Sequence, residues 1–123
     1  MTIDANIAIA YLNGDPAAIT FIQTRRAQGL LLLLPTVAES EVLSFPDWTS
    51  EELQSAERFL EENFTSIAFD RTVAKIAAEI RRQSKIKFPD AAIAATALFT
   101  HTPLVTRNQR DFKKIAGLDI VII

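Results

Sequence analysis

Thr2-Ile3-Asp4-Ala5-Asn6-Ile7-Ala8 sets the reading of the whole chain, because a short apolar run ends there at an acid and an apolar helical pattern begins at once beyond it. A run this short, with no polar alternation, reads as a strand covered on both faces, the appearance of a parallel sheet flanked by helices. Four more runs repeat it: Leu30 to Leu34, Ser66 to Phe69, Pro103 to Thr106 and Asp119 to Ile122. Helical patterns fill the spaces between. Asp15-Pro16 opens one that runs to about Gln28 and stops at Gly29. Ser50-Glu51-Glu52 opens an acidic one to about Asn63, with Leu53, Ala56, Phe59 and Leu60 as its apolar stripe. Asp70 caps a third, carrying Val73, Ile76, Ala77 and Ile80, and Pro89-Asp90 starts a nearly all-apolar fourth through Leu98. A helix apolar all round is expected to be buried all round, its N-terminus included. The alternation predicts an α/β fold with three layers, α/β/α, around a mainly parallel sheet.

Composition narrows the chemistry. The 123 residues, 49% apolar and 23% charged, suit one domain over residues 1–123, and there is no repeat, low-complexity tract or linker. With no cysteine there is no disulfide, thiolate zinc site or cysteine nucleophile, and His101 alone cannot make a multi-histidine centre. A divalent cation would have to sit among oxygen ligands, which favours Mg2+ or Mn2+ over zinc. No leader pattern and no bilayer-length apolar stretch is present, so a soluble, cytoplasmic protein without membrane association is expected. The net charge of −2 is unevenly spread: between Asp47 and Glu62 lie six acids and one base. Eight of the 13 basic residues are Arg81, Arg82, Lys85, Lys87, Arg107, Arg110, Lys113 and Lys114, in two clusters beside Asp90 and Asp111. Basic clusters are usually solvated helix faces, but this placement also suits phosphate contacts.

In an open parallel sheet, ligands bind outside the carboxyl ends of the strands. Asp4 follows the first strand run and Thr106-Arg107-Asn108 the fourth; Glu41 lies on the helix after the second, and Asp90 begins the helix leading into the fourth. Four carboxylates, Asp4, Glu41, Asp90 and Asp111, can therefore converge at one edge. Each has a plainer reading. Asp4 suits a helix N-cap, or else a buried carboxylate that needs a cation. Glu41 shares a face with Val37, Ala38 and Phe45, which turns it inward, whereas most glutamates on a helix edge are solvated. Asp90 beside Pro89 makes a good helix start. Asn108 followed by Asp111 resembles a capping arrangement, or else a carboxylate with neutral oxygens around a strand end, to which Asn6 and Thr106 add further polar groups. His101 suits a helix end. Phe45 and Trp48, flanking Pro46-Asp47, suit a core or an exposed docking surface.

In order and at this length, Ile3-Asp4-Ala5-Asn6-Ile7, Pro35 to Leu43 with Glu41-Val42-Leu43, Pro89-Asp90 through Leu98, and Leu104 through Phe112 resemble the PIN-domain family, in particular the VapC-type toxins of toxin-antitoxin pairs. The resemblance spans essentially the whole chain. It implies Mg2+- or Mn2+-dependent hydrolysis of RNA by a metal-activated water, leaving a 5′-phosphate and a 3′-hydroxyl. It matches Asp4, Glu41 and Asp90 to the family's three most regular acids and leaves the fourth place to Asn108 or Asp111. Ala5 stands where relatives often carry Ser or Thr. A homodimer and a cognate antitoxin partner are also implied, the antitoxin lying against helices near the site, with Phe45, Trp48 and Phe59 as candidates for that surface. One rival is a phosphoryl-transfer enzyme using Asp4, but Asn6 stands where a second Asp is usual and there is no adjacent acidic pair. Another is a non-catalytic PIN-like module that binds RNA or protein without cutting.

Overall fold

In the computed structural model, which describes all 123 residues, the strands are β1 (Thr2–Ile3), β2 (Leu33–Pro35), β3 (Thr65–Ile67), β4 (Leu104–Thr106) and β5 (Ile120–Ile122). They form one five-stranded sheet in the order β3-β2-β1-β4-β5, and every pairing is parallel. From β1 the chain steps outward to β2 and β3, then crosses back and continues on the other side through β4 and β5. The crossovers carry α1 (Ala5–Leu12), α2 (Pro16–Ala27), α3 (Thr36–Leu43), α4 (Ser50–Asn63), α5 (Arg71–Gln83), α6 (Phe88–Thr100) and the single turn α7 (Gln109–Phe112). Parallel crossovers share one hand, so the reversal at β1 sends α1 to α4 to one face and α5 to α7 to the other. The packing agrees: α1 lies against α2 and α3, α3 against α4, and α5 against α6. This is the expected α/β/α architecture, and its switch in strand order falls between β1 and β4.

The local signals explain most helix ends. Asp15 caps α2 by accepting from the Ala18 amide at 2.9 Å, and Gly29, at φ +75°, takes the chain out of it. Asp70 caps α5 through the Val73 amide at 3.0 Å. At α4 the cap is Thr49, one residue before the expected start, in a reciprocal box with Glu52. His101 closes α6 in the left-handed region at φ 54°.

Three expectations need correction. Leu30 and Leu31 lie outside β2 and are 46% and 64% exposed, because the chain leaving Gly29 has still to reach the sheet. The outer strands are not covered on both faces: Thr65 and Ser66 of β3 are exposed, as is Ile122 of β5, because the helices pack over the middle of the sheet and α6 lies against β1 and β2. The N-terminus of α6 is not interior. That helix starts at Phe88, which is exposed, and Asp90 is half-buried, whereas everything from Ala91 to Ala97 is buried.

Ile3, Leu34, Leu104 and Val105 of the three central strands are fully buried. Each such side chain contributes about 1.5–3 kcal/mol relative to exposure. The small residues of α6 let it approach closely, and α5 presents Val73, Ala77 and Ile80 inward. Phe59 of α4 is half-buried against this core. Its ring stacks on Tyr11 at 4.3 Å and meets Phe64 edge-on at 5.5 Å. No helix is long and apolar enough to cross a membrane.

Candidate active site

The Asp4 amide donates to the Val105 carbonyl at 3.0 Å, extending the ladder between β1 and β4 one residue past the strand. The backbone then turns into α1, leaving the Asp4 side chain at the carboxyl edge where the strand order reverses. That crevice is where this sheet class holds ligands. Asp4 occupies the N-cap position of α1, yet its side chain makes no capping bond. Instead the Thr106 hydroxyl, at the end of β4, donates to Asp4 Oδ2 at 2.7 Å. Thr106 Oγ1 in turn accepts from Asn6 Nδ2 at 3.3 Å and from the Asn108 amide at 2.9 Å, so the hydroxyl's one donor and two acceptor sites are all used. Asp4 is 6% exposed and Thr106 fully buried. Asn6 Oδ1 is also buried and has no hydrogen-bond partner.

The other acids arrive from α3, α6 and α7. Burial pushes the Asp4 carboxyl up from its ordinary value, with Asp90 adding to the rise; the Thr106 hydroxyl and the Ala5 and Asn6 amides oppose it. Glu41, as a residue, is exposed at the mouth, a correction to the inward orientation expected from its apolar neighbours. Its carboxyl is nevertheless desolvated enough to be pushed up, and it feels both Asp4 and Asp90. The next acid of the same helix, Glu39, turns away and accepts from Ser66 of β3 at 3.3 Å. Asp90 is raised by burial and then by Asp111, with Lys87 pulling the other way. Asp111 is exposed on α7 and accepts from Asn108 Nδ2 at 2.8 Å. The Asn108 side chain therefore bonds to the Asp111 side chain and does not cap the helix backbone. Phe112, fully buried, anchors that turn.

Four acids from four separate elements thus share one electrostatic neighbourhood. No three of them already stand in a metal-ligating arrangement. The donor set nonetheless fits a hard divalent cation. The cluster offers carboxylate, hydroxyl and amide oxygens, three of its carboxyls are pushed up from their ordinary values by burial and by neighbouring acids, and Asn6 Oδ1, whose own amide nitrogen bonds to Thr106, is buried without a partner.

One feature beside the cluster escaped the sequence. Asp15, read there only as a cap, also pairs with Arg107, which follows Thr106 directly. The pair lines a groove with Asn6 and Asn13, and its 92-residue separation leaves no local signal. Phe45 and Trp48, flagged in the sequence as core or docking surface, meet edge-on at 5.4 Å and line a small slot with Glu41. Of the basic clusters, only Arg82 and Arg107 are in ion pairs; Lys85, Lys87, Arg110, Lys113 and Lys114 are exposed and unpaired.

The sequence pattern of the PIN domain matches residues 1–118. Among solved structures, the chain is similar to VapBC2 from Rickettsia felis bound to a promoter DNA fragment (TM-score 0.85, 19% identity, 99% of this chain and 97% of that one). It is also similar to a toxin-antitoxin complex from Klebsiella pneumoniae (TM-score 0.80, 28% identity, 98% and 94%). A third likeness is to VapBC-1 from nontypeable Haemophilus influenzae (TM-score 0.82, 21% identity, 98% and 96%). No curated protein sequence matches the chain.

Proposed function

The chain belongs to the PIN domain family, and from that premise we propose that it is a Mg2+- or Mn2+-dependent endoribonuclease, the toxin of a toxin-antitoxin pair. The observation that carries this reading is the gathering of Asp4, Glu41, Asp90 and Asp111 at the point where the strand order reverses. The likeness to toxin-antitoxin complexes supports the toxin role and a cognate antitoxin as partner. The working unit in this reading is one domain, a cytoplasmic homodimer.

Asp4, Asp90 and Glu41 would hold the cation, with Asp111 or Asn108 at the fourth corner. When bound, such an ion supplies Lewis acidity, lowering the pKa of water and offsetting charge that builds on the phosphate oxygens. Thr106 fixes the Asp4 carboxylate in one orientation, so that corner need not reorganise as RNA arrives. Asn6, bonded to Thr106 through its amide nitrogen, adds a buried Oδ1 without a partner beside that corner. Glu41, exposed where Asp4 is buried, gives the cluster a carboxylate on the side open to solvent. Arg107 and the unpaired lysines flank the acids and give the RNA backbone cationic contacts that the acids cannot.

The test is cleavage of single-stranded RNA by the purified protein, freed of any partner, with Mg2+ or Mn2+ and then with chelator. Cutting in metal that chelator abolishes is expected; no cutting in either metal sinks the reading. A second reading, a PIN-like module that binds without cutting, draws on the absence of a ready-made three-carboxylate arrangement. Calorimetry separates the two. The nuclease gives a Mg2+ binding heat that Asp90→Asn removes, and the degenerate module gives none.

A further inference from the structure

We propose that the slot beside Glu41, between α1 and α3, holds one unpaired RNA base next to the phosphodiester that is cut; the proposal rests on the ribonuclease reading. The slot encloses about 100 Å³. It is lined by the apolar side chains of Ile9, Leu12 and Val42, by Phe45 and Trp48, and by Asn13 and Glu41. Phe45 is 53% exposed, and the indole N–H of Trp48 leans on the Val42 carbonyl at 3.4 Å.

Three observations choose the occupant. First, Glu41 belongs both to the slot and to the acid cluster, so whatever fills the slot is continuous with what lies over the acids. Second, the space suits one ring system, whereas an amphipathic helix needs a groove for several anchors at helical spacing. Third, Glu41 lines the slot and Asp47 stands exposed between Phe45 and Trp48 in sequence, which repels a phosphate but accepts a neutral ring carrying N–H donors. Stacking on aromatic faces with hydrogen bonds to the base edge is how unpaired bases are recognised in RNA. Asn13 both donates and accepts, while Glu41 only accepts, so a base with an exocyclic amino group is favoured. The larger grooves along α5 and α2 touch none of the four acids.

Trp48 is the chain's single tryptophan, so its emission reports on the slot alone. The experiment uses the whole protein freed of partner and a cleavable RNA in which an abasic site is walked through the nucleotides flanking the cut bond. One position is expected to raise KM about tenfold, the loss of one base-aromatic stack. Phe45→Leu should raise KM for intact RNA by a similar factor and show no further loss at that position, and Phe45→Tyr should restore it. Intact RNA should quench Trp48 emission more than RNA abasic at that position. The proposal falls if all abasic positions are cut alike, or if Phe45→Leu leaves KM unchanged. It falls equally if Phe45→Leu spares RNA cutting but abolishes inhibition by a co-expressed protein partner, which makes the slot a protein pocket. Should wild type cut no RNA, the ribonuclease reading is lost, and Trp48 quenching by intact against abasic RNA still decides the slot.

Discussion

Two corners of the acid cluster are built on the same device and behave differently. At one, Thr106 donates to Asp4 at 2.7 Å; at the other, Asn108 donates to Asp111 at 2.8 Å. Asp4 is buried between two paired central strands, and its backbone is itself part of the ladder. Asp111 is exposed on a one-turn helix held by the buried ring of Phe112. A hydrogen bond fixes a carboxylate only as firmly as the element that carries its donor. The sheet gives a corner that is rigid and desolvated, whereas α7 gives one that can adjust when a ligand arrives.

The sharpest way to break this contrast is to neutralise each acid. Asp4→Asn is expected to lower cleavage by more than about 100-fold, beyond the 10–100-fold usual for partners that only support a metal ligand. Cleavage by Asp4→Asn at the wild-type rate would remove Asp4 from the machinery. Thr106→Val keeps the shape but removes the donor, and a fall of about 10–100-fold in Mg2+ affinity or rate is expected, measured by metal titration of cleavage. Asn108→Ala and Asp111→Asn should each cost less, about tenfold or under, because Asp111 stands exposed to solvent. If Asp111→Asn proves as damaging as Asp4→Asn, the exposed corner is as essential as the buried one.

The smallest effect is on stability. Asp4, Glu41 and Asp90 are raised above their ordinary values, so the folded chain keeps protons that the unfolded chain has released. Their contribution therefore makes the metal-free protein less stable as pH rises from the ordinary carboxylate range, about pH 4, through the raised values. Melting in chelator should show Asp4→Asn gaining on wild type over that rise, and Mg2+ should narrow the gap. A gap that stays flat with pH would show that Asp4 is not strained.

Phe45 and Glu41 show where sequence reading stops. An exposed Phe beside a Trp is compatible with core or partner surface, and only the placement of α1 against α3 brings Ile9 and Leu12 into one slot with the two rings. Glu41 looked inward by helical spacing and is exposed, because spacing gives a face but not what covers it. Phe59, a candidate for the partner surface, proves half-buried, its ring packed on Tyr11 and Phe64.

Helices, caps and the alternation that makes a parallel sheet were legible because their signals are local: a Pro after an Asp, a Gly at a stop, an apolar run too short to be anything but a strand. The resemblance of four ordered motifs carried the acids that geometry alone left open. What the tertiary structure decided is the reversal of strand order at β1, which sets Asp4 against Thr106 across 102 residues of chain and brings Glu41 and Asp90 to the same edge. Contacts of that range depend on which strands pair and on the hand of their crossovers. A side chain's burial, hydrogen-bond partner and proton affinity follow from neighbours that no local stretch of sequence contains.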